Sequence, residues 1–440
     1  MKRKFALLLA LVMCIGLLAA CGGDSGSSAP ASTGGDNPAP SDNPVELTVV
    51  TSYGQEDGNR GIYEESYKAW EAATGNTVHD SSSMSNEEWK AQVLSDFEAG
   101  SEPDVLFYFA FADGDPLVNG GKVVPIDEIR AEFPDYASNM DDARIPASTA
   151  DGKKYVVPTT GIWEGLFCNN VVLAEAGVTA PTVDTTWDEF LEMCQKVKDA
   201  GYTPIAVSLA SVPHYWFEFL IMNKGGFADH LQMPTESEAA RTAWIEGLEG
   251  FRQLYELGYL PDNTLTNTDD EAVLMMAEDK AAFLIDGSWK VGWFKSNANS
   301  DNYSVTYVPG NSVRSADEII GGASMGYMIT RKAWDDPDKR AAAVSFIEHM
   351  TSDDVVSRMS ANNLGTNALK NSPAITDFPD KISETAYQMA TGAAKQSGAV
   401  QDLAAVDARN ELFTNDIPQI AAGQMTAEEA VDKFIAAYNG

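Results

Sequence analysis

The feature that most constrains the fold is an alternation of strand-like and helix-like patterns along the chain. Residues 45–51 alternate apolar and polar side chains, and residues 104–109 form a short apolar run. The helical patterns between these runs end at Gly75 and Gly100. This alternation is typical of a mostly parallel sheet with helices packed on its faces. The sequence therefore predicts an α/β fold.

The second half of the chain continues the alternation. Thr186 and Glu189 have the spacing of a capping box, and Pro337 after Asp336 is a favourable start for a helix. Strands are predicted for three apolar runs, at residues 205–209, 281–285 and 321–329. The roughly 400 residues that follow the N-terminal region exceed one comfortable core, so two lobes are expected. Cys168 and Cys194 are interpreted as two buried free thiols.

The first residues predict the compartment. A basic start, Lys2 to Lys4, precedes an apolar run over residues 5–18 that is too short to span a bilayer comfortably. This run leads into Leu-Ala-Ala-Cys at residues 18–21, which resembles the bacterial lipobox, whose cysteine is acylated before cleavage. We therefore predict a signal peptide at residues 1–20 and a lipid on Cys21.

The segment after the signal peptide has the composition of a tether. Residues 22–43 are almost all Gly, Ser, Ala, Pro, Asp, Asn and Thr, so the predicted linker, with the lipidated cysteine, covers residues 21–44. No later segment is apolar enough to cross a membrane. The predicted location is therefore extracytoplasmic, with the chain held at the cell membrane by lipid alone. A Gram-positive cell surface is favoured, because a lipid retains a receptor where no outer membrane exists.

The strongly acidic composition argues against one class of partner. The formal net charge is −35, and it becomes −38 when the three cations of the signal peptide are removed. Nucleic-acid binding needs Lys and Arg to neutralise phosphates, so this balance disfavours it. The histidines His79, His214, His230 and His349 lack metal-site spacing, and no phosphate-binding glycine loop is present. No metal and no cofactor are predicted.

Several short motifs carry a family resemblance that covers nearly the whole chain. They are EPDV at residues 102–105, DGKKYVVP at 151–158, LFCNN at 166–170, TTWDEF at 185–190, DKAAF at 279–283, DGSW at 286–289 and GG at 321–322. In this order, behind a lipobox, they resemble the family of extracellular solute-binding proteins that includes maltose-binding protein. Each motif is weak alone, and their order and spacing give the resemblance its strength.

The resemblance implies a two-lobed periplasmic-binding-protein fold, similar to class II, with a ligand cleft between lobes joined by hinge crossovers. It places residues 45–162 with 321–364 in the N-terminal lobe and residues 163–320 with 365–440 in the C-terminal lobe. The implied function is capture of a small ligand, with a mono- or oligosaccharide favoured, and its delivery to an ABC importer by hinge closure. The protein is expected to be a monomer and to perform no catalysis.

Candidate ligand-binding residues follow from where strands end. Loops at the carboxyl ends of strands in open α/β sheets face the cleft. A sugar presents C–H faces that aromatic rings can cover and hydroxyl groups that carboxylates can bind. The residues that combine these properties are Tyr53, Glu56, Asp57, Tyr108, Trp163, His214, Trp216, Asp286, Trp289 and Trp293, with Gly322 and Ser324 at the returning crossover.

Other functions remain open from the sequence. A sensor that presents its ligand to a membrane kinase would have the same fold and cleft, and the acidic residues could also suit a cationic amine. Residues 322–326 match the G-x-S-x-G pattern of a nucleophilic Ser324, but the residues after it read as a strand, and His349 is the one histidine downstream. A secreted carbohydrate-active hydrolase with two carboxylates is a further alternative, although no pair stands out.

Overall fold

The computed structural model describes residues 44–438, apart from Glu56 and Ala405. The predicted signal peptide, Cys21 and most of the linker lie outside these residues. The described part of the chain contains ten strands in two sheets. They are β1 (Glu46–Val50), β2 (Thr77–Asp80), β3 (Val105–Phe109), β4 (Ile162–Asn169), β5 (Thr203–Ile205), β6 (Ala281–Gly287), β7 (Tyr303–Thr306), β8 (Glu318–Gly322), β9 (Met325–Ile329) and β10 (Lys395–Ser397).

Helices connect most of the strands, and none within the described ranges is both long and apolar enough to span a bilayer. The α-helices are α1 (Arg60–Thr74), α2 (Glu87–Glu98), α3 (Asp115–Asn119), α4 (Ile126–Glu132), α5 (Asn170–Glu175), α6 (Trp187–Asp199), α7 (His214–Gly225), α8 (Glu238–Glu256), α9 (Asp269–Ala277), α10 (Trp289–Asn297), α11 (Arg331–Asp335), α12 (Pro337–Met350), α13 (Asp353–Asn363), α14 (Lys381–Gly392), α15 (Val406–Glu411), α16 (Ile417–Ala421) and α17 (Ala427–Tyr438). A 3₁₀ turn at Val400–Leu403 precedes α15, and a π-helical turn at Leu412–Asp416 follows it.

The first lobe is built on a four-stranded sheet in the order β2-β1-β3-β9. β1 is parallel to both of its neighbours, whereas β9 returns antiparallel to β3. One face is covered by α1, α12 and α13, whose buried Tyr63, Trp70 and Phe346 pack in the same core as Val49 and Tyr327. α2 contributes Trp89, Val93 and Phe97 to a second core on the other face.

The second lobe is built on a six-stranded sheet in the order β10-β8-β4-β6-β5, with β7 also paired to β4. Side chains of β4 alternate between two cores, as the period of a strand requires. Leu166 and Cys168 lie in the core formed with α6, α7 and α8. Trp163 and Phe167 lie in the core formed with α9, α10 and α14. The strand is therefore buried on both faces.

Three passages of the chain between the lobes meet at one place. β4 pairs with β8 where Trp163 lies opposite Gly321, and the indole Nε1 of Trp163 donates to the Leu364 carbonyl at 2.8 Å. Gly161 N donates to the Thr366 carbonyl at 2.6 Å. A Cβ atom on Gly365 would lie 2.3 Å from the Gly161 carbonyl oxygen, so only glycine permits this approach.

Two predictions made from the sequence are wrong in detail. The single strand predicted at residues 321–329 is two strands in different sheets, because Gly322 adopts a φ of 121° and the chain changes lobes before Met325. The predicted lobe limit after residue 364 is too early, because Leu369 belongs to the first core and Ala368 accepts a hydrogen bond from Asp141 N at 2.7 Å. These contacts favour a final crossing after residue 369.

Other local predictions are confirmed. Thr186 and Glu189 form the capping box of α6, and Asp336 caps α12 through its carboxylate. Cys168 and Cys194 are free and buried. The strand predicted at residues 205–209 is wrong in its limits: it lies at Thr203–Ile205, and Leu209 N donates to the Thr264 carbonyl in a loop.

The end of α1 provides a test of local backbone strain. Gly75 ends the helix in the left-handed conformation with a φ of 77°. Gly61, an exposed residue in the first turn of α1, does not have a positive φ. Gly75→Ala should lower the free energy of unfolding by about 1–2 kcal/mol, because Cβ crowds the carbonyl in that conformation. Gly61→Ala, the matched control, should raise it by up to about 1 kcal/mol. Urea unfolding of both variants measures the difference, and equal effects would contradict this account.

Candidate ligand-binding cleft

Three aromatic side chains form a row at the starts of two helices of the second lobe. Trp289 opens α10 directly after β6, and His214 and Tyr215 open α7. The ring centroids of Trp289 and Tyr215 are 5.8 Å apart, and those of Tyr215 and His214 are 4.3 Å apart. All three residues are half-buried, so none of them is completely enclosed in a core. We call Trp289, Tyr215 and His214 the aromatic row.

The position of Trp289 depends on the glycine at the end of β6. A Cβ atom on Gly287 would lie 2.1 Å from the Trp289 ring, so the indole rests directly on the strand end. Ser288 N donates to the Trp163 carbonyl at 2.9 Å and fixes the turn between β6 and α10 to the neighbouring strand. The motif DGSW therefore places an aromatic face at a fixed site.

Two buried carboxyl groups accompany the aromatic row. Glu164 on β4 and Asp286 on β6 lie on adjacent strands, and each side chain is only 1% exposed. Glu164 Oε2 and Asp286 Oδ2 have no hydrogen-bond partner among the described residues. Lys290 approaches Asp286 to 3.7 Å but is closer to Asp269, at 2.9 Å. The site thus presents two oxygen atoms that form no hydrogen bond within the described part of the chain, and of these Asp286 Oδ2 has an ion pair with Lys290.

Burial controls the acidity of these groups. The pKa of Glu164 lies well above its ordinary value, first because of burial and then because Glu218, Asp402 and Asp286 repel a further negative charge. Burial also raises the pKa of Asp286, and the charge of Lys290 partly opposes the rise. The site therefore disfavours additional negative charge, and an anionic ligand is a poor fit.

A third carboxyl group fixes a neighbouring segment. Glu218 on α7 is fully buried and accepts hydrogen bonds from Val400 N at 3.0 Å and Gln401 N at 2.8 Å. Burial raises its pKa to about 8, although these two N–H donors oppose the rise. The Glu218 side chain thereby holds the turn at residues 400–403 against the second lobe.

His214 is held in its neutral form. Its pKa is lowered to about 3, mainly by burial and further by the positive charges of Lys90 and Arg409. Its ring stacks on Phe413 with the centroids 5.5 Å apart. Near neutral pH this end of the aromatic row therefore offers an uncharged imidazole.

The first lobe reaches this site through the loop after β1. Asp57 in this loop accepts a hydrogen bond from Asn59 N at 2.7 Å, and burial raises its pKa to about 6. A Cβ atom on Gly292 in α10 would lie 3.9 Å from the Cα of Gly58, so the loop approaches α10. Trp293, the next residue of α10, is half-buried. The predicted Glu56 lies in this loop but outside the described residues.

Two of the predicted tryptophans lie in cores. Trp163 is fully buried, stacks on Phe167 and uses its indole N–H at the crossover. Trp216 is 2% exposed and stacks on Phe190 in the second lobe. Their positions beside a strand end gave the prediction, but both side chains point towards packed helices. Trp163 is structural at the position described here, whereas Trp216 stays a prediction, because its buried indole Nε1 has no hydrogen-bond partner among the described residues.

The predicted tyrosines of the first lobe are also packed. Tyr53 is 4% exposed, and its hydroxyl pairs with that of Thr159 at 2.7 Å. Tyr108 is fully buried beside Trp89, and its hydroxyl donates to the Lys90 carbonyl at 3.2 Å. The structure therefore does not bring Tyr53 or Tyr108 to the aromatic row.

The crossover residues do not have the strand–turn–helix geometry of a nucleophile elbow. Gly322 ends β8, Ser324 lies between β8 and β9, and both are half-buried. The Ser324 carbonyl accepts a hydrogen bond from Ala110 N at 2.8 Å. A nucleophile elbow requires a helix after the serine, whereas β9 follows here. His349 in α12 is bonded through Nε2 to the Ser66 carbonyl at 2.9 Å.

Sequence reasoning missed three residues that belong to this site. Glu164 and Glu218 each interrupt an apolar run, in IWEGLF and YWFEFL, and a lone charge in such a run is a signal that could have been used. Tyr215 stands beside two residues that were chosen, and only its orientation on α7 distinguishes it from Trp216. No group of described residues has the arrangement of a metal site.

The comparisons with known proteins fit this architecture. A profile of the family described as bacterial extracellular solute-binding protein matches residues 54–356. The chain belongs to this family. The predicted two-lobed α/β fold is thereby confirmed, and the family consists of binding proteins of extracytoplasmic location. A comparison with curated sequences found no match.

Solved structures share the fold of this solute-binding protein at low sequence identity. A chitin oligosaccharide binding protein is 21% identical with a TM-score of 0.76, over 90% of this chain and 98% of that one. The GacH receptor of Streptomyces glaucescens is 17% identical with a TM-score of 0.71, over 90% and 98%. The maltose/maltodextrin-binding domain MalE from Bdellovibrio bacteriovorus is 18% identical with a TM-score of 0.70, over 90% and 98%.

The unpartnered Glu164 makes the stability of the solute-binding protein depend on pH. Its pKa is higher in the folded than in the unfolded chain, so the folded state binds the proton more tightly and loses stability as pH rises above about 4.5. Glu164→Gln should remove this loss, so the variant should be more stable than the wild-type protein at pH 8. Between the unfolded-state and folded-state pKa of Glu164, the wild-type protein should lose up to about 1.4 kcal/mol of unfolding free energy per pH unit relative to the variant.

The measurement is urea unfolding of the wild-type protein and the variant between pH 4 and pH 8. Glu192→Gln, at an exposed position of α6 in the same lobe, is the control and should follow the wild-type curve. Parallel curves for the wild-type protein and Glu164→Gln would contradict the proposed burial penalty.

Proposed function

We propose that this solute-binding protein captures a mono- or oligosaccharide between its lobes and delivers it to an ABC importer. The observation that carries the proposal is the combination of the aromatic row with the oxygens of Glu164 and Asp286 that form no hydrogen bond. Hydroxyl groups of a sugar would satisfy those oxygens, and its C–H faces would cover Trp289 and Tyr215. The related proteins support the ligand class, because their names include chitin oligosaccharide, acarbose and maltotriose.

A cationic amine fits the site less well than a sugar. Burial raises the pKa of both Glu164 and Asp286, which weakens the negative charge that would attract a cation. Lys290 already places one ammonium group beside Asp286. Sugar hydroxyls both donate and accept hydrogen bonds, so they can pair with a carboxyl group in either protonation state.

We place the first-lobe contacts of the ligand on the loop after β1. Asp57 is the described carboxyl group of that loop, and Glu56 stays a prediction there. Trp293, Gly322 and Ser324 also stay predicted contacts, because each is half-buried near the crossovers or α10. The cleft binds its ligand without altering it, and the protein acts as a monomer.

Isothermal calorimetry with a panel of mono- and oligosaccharides tests the ligand class, with polyamines as the competing class. Trp289→Ala should weaken the affinity for the best saccharide by about 10-fold or more, because it removes a central aromatic anchor. Trp187→Ala, a partly buried tryptophan of α6 in the same lobe, is the matched control and should leave the affinity unchanged. Binding of polyamines alone would reject the proposal, and so would new reducing ends after incubation.

We further propose that Cys21 carries the lipid that holds the protein at a Gram-positive cell surface. Cells that express the wild-type chain should incorporate an alkynyl fatty acid into it and retain it in the membrane fraction. Cys21→Ser should abolish labelling and release the protein into the medium, since one amino-acid change removes the acceptor thiol. Cys168→Ser, at a buried thiol, is the control and should stay labelled. Labelling that survives Cys21→Ser would disprove the anchor.

A further inference from the structure

A buried ion triad joins the two lobes near the His214 end of the cleft. Asp113 follows β3 in the first lobe, and Arg409 lies on α15 in the second lobe. Arg409 Nη2 is 2.8 Å from Asp113 Oδ1, and both side chains are 3% exposed. Lys90 on α2 approaches the second oxygen of Asp113 to 3.1 Å. We call Lys90, Asp113 and Arg409 the clasp.

The second-lobe half of the clasp is rigidly supported. Next to Arg409 on α15, Ala408 is packed in the core of that lobe. Arg409 Nη1 also donates to the Gln401 carbonyl at 3.2 Å, and Glu218 fixes Gln401 from the other side. The backbone N–H of Ala112, beside Asp113, donates to the Asp402 carbonyl at 3.0 Å. The lobes therefore meet here through backbone as well as charge.

The clasp favours the closed arrangement of the lobes. When the lobes separate, Asp113 loses Arg409, and the charges that the contact buries return to water. The two cations outweigh the effect of burial and hold the pKa of Asp113 below its ordinary value, so its carboxylate is charged at neutral pH. An interaction present in one of two states shifts the equilibrium towards that state.

The clasp also borders a crevice of ≈790 Å³ between the lobes, and Lys90 and Asp113 are among the residues that line it. Its lining includes Tyr108, Asp115 and Asn119 from the first lobe and Asp407, Asn410 and Tyr438 from the second. No residue of the aromatic row is among its described lining residues. Phe413, four residues after Arg409, stacks on His214 with the ring centroids 5.5 Å apart, so the clasp stands near the His214 end of the row.

We propose that the clasp closes the outer end of the cleft, strengthens binding of short saccharides and excludes longer chains. The inference rests on the proposed function and adds the length of the ligand. A chain that ends before His214 is enclosed with the ion triad intact. A longer chain must pass between Asp113 and Arg409 to reach the outer crevice, and it loses the interaction that holds the lobes together.

Calorimetry with chito- and malto-oligosaccharides of one to six residues tests the proposal. The wild-type protein should bind the six-residue chain of its preferred series at least about 10-fold more weakly than the best shorter chain, a typical size for a coupling between two states. Asp113→Asn and Arg409→Gln should each weaken the best short chain by about 10-fold or more and remove the penalty on the six-residue chain. X-ray scattering should show more open lobes in both variants.

The matched control breaks an ion pair that lies within one lobe. Asp142→Asn removes the exposed pair with Arg130 in the first lobe and should keep the wild-type length profile. The proposal is overturned if the wild-type protein binds six-residue chains as tightly as shorter ones, or if both clasp variants retain its profile. Saccharide binding without a length preference rejects the clasp alone. Failure of every saccharide to bind rejects the proposed ligand class and this inference together.

Discussion

The hydrogen bond from the Trp163 indole to the Leu364 carbonyl is the interaction on which the arrangement of the lobes depends. It ties the first passage between the lobes to the segment that follows α13, at a point where β8 also pairs with β4. The backbones approach so closely that Gly365 cannot carry a side chain. Because the indole is fully buried, this bond is shielded from competing water.

The same strand divides structural and functional roles between its faces. Trp163 points into the core below the crossover, and the next residue, Glu164, points to the opposite face. Successive residues of a strand alternate in this way, so a position shift of one residue would exchange the anchor and the carboxyl group. The site is therefore specified by register. Gly287 repeats the principle on β6, where the absence of a side chain leaves room for the Trp289 ring.

The sequence predicted the fold better than the site. Alternating patterns, the capping box at Thr186 and the ordered motifs are local signals, and local signals set helices and strands. The orientation of a residue at the end of a strand depends on packing, which no local pattern encodes. α7 illustrates this limit, because its sequence is apolar around most of the helix, and only the tertiary structure separates the buried Trp216 from the accessible Tyr215. Asp286 and Trp289 were predicted because they follow a strand in the sequence, and the structure places both at the junction of β6 and α10.

The oxygens of Glu164 and Asp286 that form no hydrogen bond bear on how much ATP a transporter would hydrolyse without a ligand. Burying a polar atom without a hydrogen-bond partner costs about 1–3 kcal/mol, so in a vacant cleft these two oxygens act against the clasp. A ligand whose hydroxyl groups form hydrogen bonds with these oxygens removes this cost. If a transporter recognises the closed form, the two carboxyl groups lower the fraction of ligand-free protein in that form. Fewer cycles of ATP hydrolysis would then run without transporting a ligand.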